Sequence, residues 1–331
     1  MNLIGIDIGG TKCAVSLGRS NRDGTVQILH KCEKRLTAKR GPQAVLGELI
    51  QDVLFCISKS ETRPVAIGIS CGGPLDSKKG LIQSPPNLPG WDDVPVVAYF
   101  REKTGIPTYL CNDANAGALA EWRMGAGRGC RNVVFMTFGT GLGAGLILDG
   151  KLYEGTNDMA GELGHIRLAS FGPIGYGKMG SFEGFCSGNG IAQLAKNYVL
   201  EQLQMGNAPS LCPRKEDIDN LTAEVVCNAA KAGDTLALRI MEQCGRMLGV
   251  GLSIVMDILN PERIVIGSIF ARAGDLLWPA AKEVIENETL VQTRSVCRVV
   301  PSELSESVGD IAALTVADYY YQMENGYETS N

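Results

Sequence analysis

The chain has 331 residues, 45% hydrophobic and 20% charged, with a formal net charge of −5. That length accommodates one large or two ordinary domains with a full core. The acidic balance weighs against a nucleic-acid partner, which needs clustered Lys and Arg, and no apolar run approaches the length of a membrane span.

Apolar runs and alternation predict strands over residues 3–8, 12–18 and 26–33. The densest basic group, Lys34-Arg35 with Lys39-Arg40, reads as a solvated face. Residues 42–59 have helical spacing through Val45, Leu46, Leu49, Val53 and Leu54, with Pro42 near the start. A buried-type strand follows at 64–70. Residues 71–95, rich in Gly, Pro and Asn, predict a long irregular loop, and loops of that length in compact domains are usually functional. A short strand at 108–111 leads into a helix at 114–124. Residues 132–138 and 142–148 predict a second hairpin. Helices are expected at 191–205, 234–259, 273–287 and 310–323, with strands at 263–266 and 297–300 between them. The polar tail from Glu324 reads as frayed. The order of hairpin, helices and strands occurs twice, which indicates two α/β lobes on one plan.

Eleven Cys is an odd count, spread singly with no Cys-x-x-Cys pair. They read as reduced thiols of a cytoplasmic protein. The start, Met1-Asn2-Leu3, has no basic segment and does not read as a secretory signal.

Two glycine-rich turns carry the chemistry. Asp7-Ile8-Gly9-Gly10-Thr11-Lys12 follows the first strand, and Thr137-Phe138-Gly139-Thr140-Gly141-Leu142-Gly143 follows the strand at 132. Each reads as a hairpin tip. Glycines let backbone N–H groups approach phosphate oxygens. Thr11 adds a hydroxyl, Lys12 a counter-charge, and the carboxylate of Asp7 suits Mg²⁺ held through water. The bland alternative is an ordinary glycine turn. The first turn lacks the spacing of a Walker loop and is not a dinucleotide fingerprint, because a strand rather than a helix follows.

At Cys111-Asn112-Asp113-Ala114-Asn115 a strand ends and a helix begins. Asp113 can take a proton from a substrate hydroxyl, as phosphoryl transfer to an alcohol requires. By local pattern it is as readily a helix cap. Glu162 and His165, three apart in Gly161-Glu162-Leu163-Gly164-His165, suit vicinal hydroxyls of a sugar. Glu183 follows in a glycine-rich segment that is either a site lining or a flexible loop.

As a set, Asp7-Ile8-Gly9-Gly10-Thr11, Asn112-Asp113-Ala114-Asn115, Gly139-Thr140-Gly141-Leu142-Gly143, Gly161-Glu162-Leu163-Gly164-His165 and Leu259-Asn260-Pro261-Glu262 resemble the ROK family of sugar kinases and sugar-responsive repressors. The resemblance runs from Ile4 to Ala317. It implies a two-lobed actin- and hexokinase-like (ribonuclease H-like) α/β fold with a central cleft. Residues 1–115 with 309–331 would form one lobe and 116–308 the other. It implies ATP, Mg²⁺ and a hexose phosphorylated on its 6-hydroxyl. By matching position, Asp113 would be the general base. Gly72, Gly73, Asn87, Asn112, Glu162, His165 and Glu183 would hold the sugar. Gly9, Gly10, Thr11, Lys12, Thr140 and Gly141 would line the phosphates, with Asp7 near the metal and Gly267 at the nucleotide. Glucose ranks first as substrate, N-acetylmannosamine second, and a homo-oligomer, a dimer, is expected.

Two departures matter. Many family members hold a structural zinc with one His and three Cys; the aligned positions here are Ile174, Tyr176 and Ser181, so no zinc is expected. Where relatives carry two or three glycines, this chain has Ile266-Gly267-Ser268. The rival functions are a catalytically silent sugar-binding regulator, an actin-like ATPase and a repressor. The last is disfavoured by the acidic charge and by Asp7 lying almost at the start.

Overall fold

The structure, a computed structural model, describes residues 1–37, 40–304 and 308–326. In chain order its elements are β1 (Asn2–Ile8), β2 (Lys12–Ser20), β3 (Val26–Lys31), β4 (Arg35–Leu36), α1 (Pro42–Lys59), β5 (Ala66–Cys71), β6 (Leu75–Asp76), β7 (Leu81–Ile82), α2 (Val96–Thr104), β8 (Thr108–Asn112), α3 (Asp113–Met124), β9 (Val133–Phe138), β10 (Leu142–Leu148), β11 (Lys151–Leu152), β12 (Ile174–Gly175), β13 (Lys178–Met179), α4 (Phe182–Phe185), α5 (Gly188–Gln204), α6 (Ala223–Lys231), α7 (Thr235–Leu259), β14 (Arg263–Ile266), α8 (Ile269–Glu288), α9 (Val291–Val296), β15 (Arg298–Pro301) and α10 (Val308–Glu324).

The first sheet runs β3-β2-β1-β5-β8, with β4 also on β2. β1 and β2 are antiparallel, whereas β5 and β8 add in parallel. Every residue of β5 is buried, as expected of a parallel strand covered on both faces. On one side α1 contributes Val45, Leu46, Leu49 and Val53 to the core around Ile4, Ile6, Ile67 and Ile69. On the other, α10 lies at backbone distance from the sheet. A Cβ on Gly68 would fall 2.2 Å from the Ala313 carbonyl oxygen, so only glycine permits that approach.

The second sheet runs β11-β10-β9-β14-β15, the same order read from its hairpin outward. The duplicated plan read from the sequence is therefore a duplicated topology. β14 pairs in parallel with both β9 and β15. α7 and α8 pack along each other, and Gly245 and Gly249 of α7 meet the α8 backbone at Leu277 and Ala281.

By contacts the chain divides into one unit of Met1–Arg131, Gly145–Ala160 and Glu303–Asn331, and another of Asn132–Ala144 and Gly161–Ser302. This differs from a boundary at 115. α3 and α10 pack on each other within the first unit. Residues 145–160 are tied to α10 as well: the Tyr319 hydroxyl accepts from the Leu152 N–H at 3.1 Å, and the Tyr320 hydroxyl donates to Glu154 at 2.6 Å.

α1, α3, α7, β14 and the two hairpins form where spacing predicts them. Residues 71–95 are more ordered than a loop. β6 pairs with β7, Ile82 bridges Val94, and Leu75, Leu88 and Trp91 are buried. α2 and α6 went unpredicted, being short and following Pro- or polar-rich stretches. α5 starts at Gly188 because Ser187 caps it, accepting from the Gly190 N–H at 2.9 Å. α8 starts at Ile269, and the expected start, Ala273, is instead a kink with φ −137°. Of the tail, residues 327–331 lie outside the described residues, as does Lys39.

Candidate functional site

In the first unit the parallel register aligns three strand ends. Ile8 lies beside Cys71, and Cys71 beside Asn112. The residues that follow, Gly9, Gly72 and Asp113, therefore emerge at the carboxyl edge of one sheet, where α/β folds place ligands. The Asn112 Oδ1 and Asp113 Oδ1 both accept from the Ala114 N–H, at 2.9 and 2.8 Å. The cap reading and the base reading of this motif are compatible, since capping occupies Oδ1 of Asp113. Its Oδ2 lies 3.7 Å from where a Cβ on Gly72 would sit, and Asn112 Nδ2 lies 3.1 Å from the same point on Gly73. Asp113 is open to solvent. The protein mass around it, opposed by the Ala114 N–H and its own, nevertheless pushes its carboxyl above the usual range.

The first glycine turn closes through the Gly9 N–H, which donates to the Lys12 carbonyl at 3.0 Å. Gly10 rests on the Asn87 main chain: a Cβ there would lie 2.6 Å from Asn87 Cβ and 2.7 Å from its carbonyl oxygen. The structure thus brings a phosphate-turn residue against a residue expected on the sugar. Thr11 and Lys12 are exposed. Asp7, at the end of β1, is held up to a pKa of about 6, first by burial, then by the charges of Asp310 and Asp113, against Lys34 and Lys31. Asp310, on the first turn of α10, is paired with Lys31.

In the second unit Thr137 ties the hairpin. Its hydroxyl accepts from the Gly143 N–H at 2.9 Å. The N-terminus of α5 then clasps the tip: Gly188 N–H donates to the Gly139 carbonyl at 2.7 Å and Asn189 N–H to Thr140 at 3.4 Å. Glu183, expected on the sugar, has its Oε2 on the Leu142 N–H at 3.0 Å, so one of its oxygens supports the hairpin. A cavity of about 1070 Å³ opens beside the tip, bounded by Gly139, Thr140, Glu183, Ser187, Ser268 and the inner face of α6. Gly141 and Gly267 do not line it. Gly267 is buried and donates to the Met136 carbonyl at 2.9 Å, and Ser268, with φ +53°, takes the place at the wall.

Glu162 and His165 are exposed on a single 3-10 turn. The His165 ring meets the Tyr176 ring edge-on, with centroids 6.2 Å apart. The Lys178 ammonium donates to the His165 carbonyl at 2.7 Å.

Residues 3–319 match the ROK family. This chain belongs to the ROK family. It is 31% identical over 318 residues to the glucokinase of Thermotoga maritima, covering 96% of this chain and 97% of that one. It is 29% identical over 264 residues to the transcriptional repressor Mlc of Escherichia coli, covering 80% and 63%. Among solved structures, a ROK hexokinase from Thermus thermophilus superposes with a TM-score of 0.81 at 28% identity, over 98% of this chain and 100% of that one. A Streptomyces griseus ROK glucokinase in complex with glucose and AMPPNP superposes with a TM-score of 0.75 at 27% identity, over 96% and 100%. The fold is the actin- and hexokinase-like α/β fold of these ROK sugar kinases.

The segment from 174 to 186 is held by its own bonds and packing in the second unit. Ile174 and Gly175 pair with Met179 and Lys178 across a two-residue turn, Tyr176-Gly177, with φ +44° and +74°. The Gln193 side chain brackets Ile174, accepting from its N–H at 3.0 Å and donating to its carbonyl at 2.9 Å. Ser181 caps α4 through the Gly184 N–H at 3.0 Å. Phe182 is fully buried against α7, where a Cβ on Gly251 would fall 2.2 Å from its ring. Cys186 is also buried, its thiol on the Cys244 carbonyl at 3.6 Å. Sequence reasoning quoted Thr137 within its motif without a role, and missed Ser187 and Gln193. The Ser-x-x-Gly spacing ahead of α5 was a usable signal for Ser187; the side-chain bracket by Gln193 left none.

Proposed function

We propose that this ROK protein is an ATP-dependent hexose kinase that transfers the γ-phosphate to the 6-hydroxyl of an aldohexose. Glucose is the first substrate to test and N-acetylmannosamine the second. The observation that carries this reading is the state of Asp113. Its carboxylate is solvent-accessible at the carboxyl edge of the sheet, one oxygen held by the Ala114 N–H and the other directed toward Gly72. Oδ2 is then the atom that takes the hydroxyl proton. A raised pKa improves it as a base, because catalytic efficiency rises as the pKa approaches the working pH.

Asn112, Asn87 and the backbone at Gly72 and Gly73 would supply donors and acceptors to the sugar in the first unit. In the second, Glu162, His165 and the remaining oxygen of Glu183 would add contacts to ring hydroxyls. The cavity beside Thr140 is roomy enough for a nucleotide. The backbone of both glycine turns would hold phosphate oxygens, with Lys12 as counter-charge.

The residues fit Mg²⁺. Asp7 is a hard oxygen donor whose ionisation is opposed by two neighbouring carboxylates, a repulsion that a cation relieves. Among the described residues no three His, Cys, Asp or Glu side chains converge as a chelate. Asp7 would therefore hold the ion through water and share it with the phosphates, where it supplies charge neutralisation during transfer.

The test is ADP release over a panel of hexoses and N-acetylhexosamines. Sugar-dependent release, fastest with an aldohexose, is expected. Sugar binding without release would make the protein a silent regulator like its repressor relatives, and sugar-independent release would make it an ATPase.

A further inference from the structure

Thr37 lies outside every glycine motif, yet it is 2% exposed and bonded twice to the first phosphate turn. Its hydroxyl donates to the Gly9 carbonyl at 2.6 Å, and its N–H donates to the Thr11 carbonyl at 3.0 Å. A trans peptide is planar, with its carbonyl and the following N–H pointing in opposite directions. Drawing the carbonyls of Gly9 and Thr11 toward Thr37 therefore turns the N–H groups of Gly10 and Lys12 away from Thr37.

The segment carrying Thr37 is itself fastened down. β4 pairs with β2, Leu36 opposite Lys12 and Arg35 opposite Cys13. Arg35 grips Asp52 of α1 with two bonds, at 3.0 and 2.7 Å. Arg40 grips Glu48, one helical turn away, at 3.0 and 2.6 Å. Two-pronged guanidinium–carboxylate pairs hold position as well as charge. The basic group that read as a solvated face is, at Arg35 and Arg40, a pair of clamps holding the strap to α1.

We infer that Thr37 is a positioning residue for the phosphoryl donor: it presets the first turn so that its amides face phosphate before nucleotide arrives. The inference rests on the kinase reading and names a residue that reading does not need. Preorganised donors cost no reorganisation when the ligand binds, so loss of Thr37 should fall on nucleotide affinity and spare the sugar.

The experiment is calorimetric titration of AMPPNP·Mg and, separately, glucose into wild type, Thr37→Val, Thr37→Ser and Asp52→Asn, with steady-state kinetics alongside. Val keeps the shape and the N–H bond but removes the hydroxyl, and an unmade buried bond weakens AMPPNP binding by about tenfold to a hundredfold. Glucose affinity should stay within about twofold, Ser should restore most of the loss, and Asp52→Asn should show a smaller loss in the same direction. Wild-type AMPPNP affinity in Thr37→Val overturns the inference, as does an equal loss for both ligands. Should Thr37→Val not fold, Asp52→Asn with unchanged AMPPNP affinity overturns it. Failure of the kinase reading is separate: wild type would bind AMPPNP without sugar-dependent turnover, while the affinity comparison still decides the role of Thr37.

Discussion

Asp113 shows how one side chain can satisfy two demands. A carboxylate at the first position of a helix is stabilised by the backbone N–H beside it, and the same carboxylate sits where strand ends converge. Because capping uses Oδ1, replacement by Asn keeps a cap acceptor and removes only the proton acceptor. Asp113→Asn should therefore lower kcat by about 10²–10⁴-fold while leaving glucose affinity near normal. Turnover at the wild-type rate would end the base assignment. The place of Asp113 at a strand–helix junction was legible because strand, Asn-Asp and helix are contiguous; its expected role as base came from the family resemblance. Thr37 was not: nothing near residue 37 signals that its hydroxyl reaches Gly9, 28 positions away.

At the scale of elements, the glycine-rich segment from 171 to 187 is the instructive case. Its composition is poor in core residues. A tight hairpin, the Gln193 bracket and a buried Phe182 hold it within one unit. Phe182→Ala should cost about 3–5 kcal/mol, measured by denaturant unfolding. It should also weaken nucleotide binding, because Glu183 next to it supports Leu142. A chelator should leave the wild-type unfolding midpoint unchanged; a large drop would mean that a metal, rather than this packing, orders the segment. α6 is the opposite lesson. Its Val226 and Ala230 are a single i,i+4 pair, too short a period to declare a helix, and yet it walls the cavity.

For the molecule as a whole, the buried carboxylate of Asp7 carries a stability cost. Asp7 is raised to about 6 from an ordinary 3.8 by burial and by Asp310 and Asp113. The folded state therefore binds more protons than the unfolded chain between about pH 4 and 6. Its contribution to stability is full below that window and lost as pH rises through 6. In metal-free buffer, Asp7→Asn should be close to wild type at pH 4 and more stable than wild type at pH 8, by chemical denaturation. An equal difference at both pH values would rule out a buried, repelled carboxylate. Residue order alone determined the two hairpins, the long helices, the repeated plan and the candidate base, because burial period, capping and glycine turns are written in neighbouring residues. Only the tertiary structure decided that Thr37 bonds to the first turn, that Glu183 supports the second, that α3 packs on α10, and that α6 lines the cavity. Each of those depends on a partner distant along the chain, and a bond of that kind leaves no local period or spacing to read.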